Sequence, residues 1–208
     1  MNASRLWTPP NSLAIFFVSA IGWFFVCTLL WMPIAKWASY PVASLTHLVL
    51  EQGAPYWVRS VQKTPGHIEV DTRIRVPLAA GNAAQGVAEL VAEADPAHYT
   101  YGFPLFAALL LAARSRQLFK KLLLGYAVLW LPQTFSLVFE ILRQIMVAGG
   151  RPGALHIDQW QMEGIALGYQ VGSLLLPTLA PVALWLRLDR TFFAAVILDG
   201  WIKRTMKT

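Results

Sequence analysis

The stretch Leu13–Ile34, LAIFFVSAIGWFFVCTLLWMPI, decides the fold class. It holds no charged residue, and the charge-free run around it fills the thirty positions between Arg5 and Lys36. An ionised side chain at mid-bilayer costs about 2.5–3.5 kcal/mol on insertion scales, so such a run reads as a membrane span. A hydrocarbon core of roughly 30 Å needs about 20 helical residues at about 1.5 Å each, which this run supplies. It exceeds the about 7–15 apolar residues of a secretory signal, and no clear A-x-A site follows, so an uncleaved anchor is expected.

Outward from this stretch, three more charge-free runs appear. One fills the eighteen positions between Asp95 and Arg114, one the eighteen between Lys121 and Glu140, and one the twenty-three between Glu163 and Arg187. The second is marginal, because Pro104 interrupts its first part; the third gains length if its helix continues past Glu140 to about Val147. The composition agrees, with 56% hydrophobic and only 13% charged residues in 208. A soluble domain carries about 25% charged residues, and a disordered segment needs high charge with low hydrophobicity, so both classes are excluded. The single cysteine, Cys27, leaves no intrachain disulfide framework and no zinc site built on several thiolates.

Lysine and arginine in the flanks give the orientation. The loop after the second run holds Arg114, Arg116, Lys120 and Lys121 with no acid, and the C-terminal segment holds Arg187, Arg190, Lys203, Arg204 and Lys207 against Asp189 and Asp199. Residues 37–95 hold four basic and six acidic residues, and the 148–163 loop sets Arg151 against Asp158 and Glu163. The expectation is a mostly α integral membrane protein: four transmembrane helices, both termini cytoplasmic, and a small α+β extracytoplasmic domain between helices 1 and 2. The parts are residues 1–36, 37–95, 96–188 and a cytoplasmic amphipathic tail at 189–208. The net charge of +6 is then a topology signal, and no nucleic-acid partner is expected; the lipid bilayer is the first partner.

Between the spans, Trp31, Trp37, Tyr40, Tyr99, Tyr101 and Trp160 fall near the proposed outer ends, where amphipathic rings prefer the headgroup level. Residues 37–51 read as a helix on the outer surface. From His67 to Val76 polar and apolar residues alternate almost strictly, the pattern of a half-buried strand, and Tyr56 to Lys63 can pair with it through Thr64-Pro65-Gly66. Residues 86–94 fit either a third strand or a short helix. Two or three strands cannot stand alone, so this domain must lean on the membrane, the helices or a partner. The charged residues Glu69, Asp71, Arg73 and Arg75 either form a solvated face or mark an edge that accepts an extended peptide. Phe192, Phe193, Val196, Ile197 and Trp201 follow helical spacing in the tail, as an interfacial anchor would.

Chemistry-bearing residues are few. Glu140 and Arg143 share one helical face three residues apart, as a structural ion pair or a functional site. With Gln133, which follows Pro132, and Gln170, they make up a candidate intramembrane polar site. Gly168 and Gly172 form a small-xxx-small pattern for close helix approach, and Pro177 and Pro181 should bend the half-helix that follows. Cys27 sits among Phe25, Val26, Leu29 and Leu30, where a thiol is inert. His47, His67, His98 and His156 show no metal spacing, and Gly149 to Gly153 is a turn and not a phosphate loop. No catalytic residue, metal or cofactor is expected.

Three stretches carry a family resemblance: Leu30-Trp31-Met32-Pro33, Tyr99-Thr100-Tyr101-Gly102-Phe103-Pro104-Leu105, and Ala166 through Gly172 continuing to Leu176-Pro177-Thr178-Leu179-Ala180-Pro181. With the four-span layout, the chain resembles the exosortase H-associated membrane proteins, small bacterial proteins linked with a membrane-embedded sorting enzyme. The resemblance implies an accessory role, in enzyme assembly or substrate presentation, with the sorting enzyme and its substrates as partners. It transfers no catalytic residue. Exosortases themselves use a cysteine, arginine and histidine set near the outer face, whereas Cys27 lies in mid-span with no histidine near it in sequence. Two other readings stay open: a membrane subunit of a secretion or conjugative-transfer complex, and a small intramembrane enzyme using Glu140.

Overall fold

The computed structural model describes residues 13–77, 87–149 and 158–190. In chain order they form α1 (Leu13–Ala38), α2 (Tyr40–Gly53), β1 (Val58–Thr64), β2 (His67–Pro77), β3 (Val87–Ala94), a 3-10 turn (Pro96–Tyr99), α3 (Gly102–Ala112), α4 (Leu118–Ala148), α5 (Gln159–Gln170), a π segment (Val171–Leu175) and α6 (Leu176–Leu188). The amphipathic tail expected beyond Arg190, and the loop carrying Gly153 and His156, lie outside the described residues.

Among the described residues three stretches are long and apolar enough to cross a membrane: Ile15–Ala38, Leu118–Ala148 and the composite Gln159–Leu188. The charge-free run between Asp95 and Arg114 forms only the 11-residue α3, about 16 Å long, roughly half of a hydrocarbon core. Its first residues are spent on the 3-10 turn, which Asp95 caps by accepting the Ala97 N–H at 2.8 Å. Pro104 then sits in the first turn of α3, where a missing N–H costs no helical bond. α3 runs antiparallel to α1. At one end Trp31 donates to Thr100 Oγ1 at 3.2 Å; at the other, Phe16 and Ala20 share a core with Leu109, Leu110 and Ala112. Eight of its eleven residues are buried, so its apolar character serves protein contacts.

The sheet is antiparallel with order β1-β2-β3. Pro65 and Gly66 make the β1–β2 turn, with Gly66 at φ 81, a left-handed value that glycine supplies without strain. Residues 87–94 are thus a strand. Ile68, Val70 and Thr72 are fully buried on one face of β2, while Arg73 and Arg75 are exposed on the other. The peptide-accepting edge considered for β2 is narrowed: β2 is the central strand, and over Ile68–Asp71 β1 and β3 pair with both of its backbone edges. Alternation reports which face is buried and carries no information about edges.

Among the described residues two hydrophobic cores form. One joins α2 (Val42, Leu50), the sheet (Val61, Ile68, Val70) and the second half of α4 (Leu137, Ile141, Ile145). The other joins the start of α1 (Phe16), α3 (Phe106, Leu110), the first half of α4 (Leu129) and the end of α6 (Trp185). α4 belongs to both. At 31 residues it is about 46 Å long, well beyond a bilayer core. Between the two cores Tyr126 donates to the carbonyl of Ala38 at 2.6 Å, next to the interruption that Pro41 makes between α1 and α2. Trp31, Phe103 and Trp130 each meet the Tyr126 ring edge-on, and Trp31 and Phe103 meet each other at a tilt.

Candidate functional site

The second half of α4 presents the most concentrated polar chemistry in the helices. Glu140 accepts from Arg143 Nη2 at 3.1 Å and from Gln144 Nε2 at 2.8 Å. These are the i+3 and i+4 positions, which share one face of a helix. The Tyr99 phenol, from the 3-10 turn, interacts with the same carboxylate. Arg143 in turn places its guanidinium carbon 4.4 Å from the centre of the Tyr169 ring of α5, a cation–π contact. The Glu140 side chain is 13% exposed and that of Arg143 33%. A carboxylate so enclosed needs its donors, and here each comes from a different neighbour along the chain. The arrangement ties the turn before α3 and the end of α5 to α4.

A second polar contact lies about one helical turn nearer the middle of α4. Pro177 has no N–H, and the Leu176 N–H bonds Val171, one residue further back than an α-helix would place it. The Gly172 carbonyl is instead taken by Ser136 Oγ at 2.6 Å, a buried bond between helices. Gly172 permits it: a Cβ there would stand 2.9 Å from Ser136 Cα. Gly168 lies one turn away, where a Cβ would run into the Phe139 ring. Gly102 makes a like approach to the Pro177 carbonyl, at 2.9 Å from a notional Cβ.

The four members of the candidate polar site do not converge. Glu140 and Arg143 are paired. Gln133 is buried on α4, but seven residues from Glu140 it stands about 10 Å away along the axis. Gln170 is exposed on the outside of α5. On the sheet, Asp71 accepts from Ser60 Oγ at 2.7 Å, and Glu69 lies opposite Glu93, an unfavourable like-charge pair. Arg75 lies opposite Glu89, whose carboxylate takes both Arg59 nitrogens at 2.6 and 2.8 Å. That hydrogen-bonded pairing pulls Glu89 below the usual carboxylate range and raises Arg59 above its own. Among the described residues no group of three His, Cys, Asp or Glu is placed to hold a metal ion.

The family described as exosortase H-associated membrane protein covers residues 10–192 of 208. This chain belongs to that family. It is a membrane protein whose family is named for association with exosortase H. No curated protein and no solved structure matches it. Within this exosortase H-associated chain, sequence reasoning found Glu140 and Arg143 as a pair but missed three of their companions. The i+4 spacing of Gln144 was there to be read. Tyr99 and Tyr169 lie on other elements, and nothing local links either to Glu140. Pro177 signals a missing donor, but only the π register, in which the Leu176 N–H bonds Val171, makes Gly172 the orphaned carbonyl.

Proposed function

We propose that this protein is a non-enzymatic accessory of an exosortase-type sorting system in the bacterial inner membrane. It helps to assemble the sorting enzyme or presents substrates whose C-terminal tails carry a sorting signal. In this reading both termini are cytoplasmic, α3 with its preceding turn completes a fourth crossing, and α2 with the sheet forms the outer domain. The observation that carries the non-enzymatic part is the state of Glu140. Its carboxylate accepts from Arg143 and Gln144 one turn along its own helix, the geometry of a structural ion pair. Family membership supports the partner.

The test is removal of the gene in its host, followed by blotting a tagged sorting substrate. Uncleaved substrate, restored by the wild-type gene, is expected. Adding back Glu140→Gln should lower processing only as far as it lowers the amount of protein. Processing lost at full abundance would instead make Glu140 an acid or base and sink the accessory reading.

A further inference from the structure

The end of the bundle opposite the Glu140 network gathers charge of one sign. Lys121 donates to Ser115 Oγ at 2.6 Å and pairs with Asp189 at 3.4 Å. This contact joins the turn after α3, the first turn of α4 and the residue that ends α6. Asp189 is 5% exposed there, and the pair is neutral. Its sequence neighbours are cations. Arg114 and Arg116 flank Ser115, Lys120 precedes Lys121, and Arg187 and Arg190 stand on either side of Asp189. All five are exposed, and none is ion-paired to a described residue.

Consecutive Cα atoms lie about 3.8 Å apart, so a contact among Ser115, Lys121 and Asp189 gathers the backbones of their neighbours around one point. The turn itself is tight: Arg114 has φ 49 and Gln117 φ 57, left-handed values that residues other than glycine seldom adopt. No acidic residue occurs between Asp95 and Glu140, so nothing local on α3 or α4 offsets the field. Phe119, 79% exposed, stands beside Lys120, and the apolar run of α4 begins at Leu122. The cations therefore gather at one end of an apolar bundle, the position from which basic side chains reach lipid phosphates when such a bundle spans a bilayer.

We propose that this end is a binding surface for the headgroup of an anionic phospholipid, with Arg114, Arg116, Lys120, Arg187 and Arg190 around the phosphate and Phe119 against the acyl chains. The proposal is independent of the sorting role.

Full-length protein in detergent micelles doped with phosphatidylglycerol or phosphatidylcholine tests it, with retained lipid counted by native mass spectrometry. Phosphatidylglycerol should be retained preferentially. The triple variant R114Q/R116Q/R190Q leaves the Lys121–Asp189 pair in place and should weaken retention about a hundredfold, at roughly fivefold per cation removed. R73Q/R75Q, on the sheet, should leave retention unchanged. Equal retention of both lipids by the wild type would overturn the proposal. So would an unaltered preference in the triple variant, or an equal loss in R73Q/R75Q. Displacement of the lipid by inorganic phosphate at equal concentration would assign the surface to free anions and overturn it too. Should the triple variant fail to fold, the wild-type comparison and the phosphate competition still decide.

Discussion

α1 and α4 are both apolar helices long enough to cross a bilayer, and they are used in opposite ways. The best window of α1 has a mean hydropathy of 2.1 and that of α4 1.6, yet 11% of the first is buried in the protein against 39% of the second. The more hydrophobic helix is the less buried. In water that ordering would be a fault; in lipid it follows from the solvent, because hydrocarbon chains are as apolar as leucine and do not drive helices together. What packs α4 is steric fit and hydrogen bonding: Gly125 under the Phe106 ring, Ser136 on the Gly172 carbonyl, and Tyr126 on the Ala38 carbonyl.

The largest predicted effect sets glycine against glycine. A Cβ on Gly125 would run into the fully buried Phe106 ring, whereas Gly22 on α1 has nothing within 4 Å. Gly125→Val should cost about 3 kcal/mol in detergent-titrated unfolding, and Gly22→Val should stay within about 0.5 kcal/mol. Equal losses would erase the distinction between the two helices. Next comes Arg143→Leu, which leaves Glu140 enclosed without its cation and should cost about 2 kcal/mol in the same assay, against about 1 kcal/mol for Glu140→Gln. Ser136→Ala strands the Gly172 carbonyl and should cost about 1 kcal/mol; an unchanged transition would mean that the π segment settles without that bond.

The smallest effect belongs to the sheet. Glu89 is held below its ordinary pKa by Arg59, so its contribution to stability is present above the unfolded carboxylate value. It fades as pH falls through the lower folded value. Because the pair is exposed, Arg59→Ala should flatten acid sensitivity only slightly, and added salt should do the same.

The sequence made α1, α4 and the composite of α5 and α6 legible, because the cost of a charge in hydrocarbon marks them residue by residue. The β1–β2 hairpin was legible from Pro65 and Gly66 and from alternation, although alternation could not show that β2 is central. α3 was not legible as a short helix. A charge-free run measures where lipid or protein could surround the chain, and here the protein does so, with Phe106, Ala108 and Leu110 fully buried. Of the candidate site, only the part within one helix turn could be read. Tyr99 meets Glu140 across 41 positions, a distance over which local pattern carries no signal. The π segment was hidden as well: Pro177 announced a bend, but which carbonyl it orphaned depended on Ser136 standing opposite.

The dependence of the sheet on the far half of α4 also has a consequence in time. The strands end at Ala94, but the surface they pack on, at Leu137 to Ile145, is synthesised up to 51 residues later. At roughly 5–20 residues per second, the ribosome needs about 3–10 s to deliver it. For that interval, in the proposed orientation, only α2 can cover the apolar face of the strands, and the part that α4 covers stays exposed. A nascent chain arrested before Leu137 should therefore yield to protease within residues 58–94, and one released past Ile145 should resist.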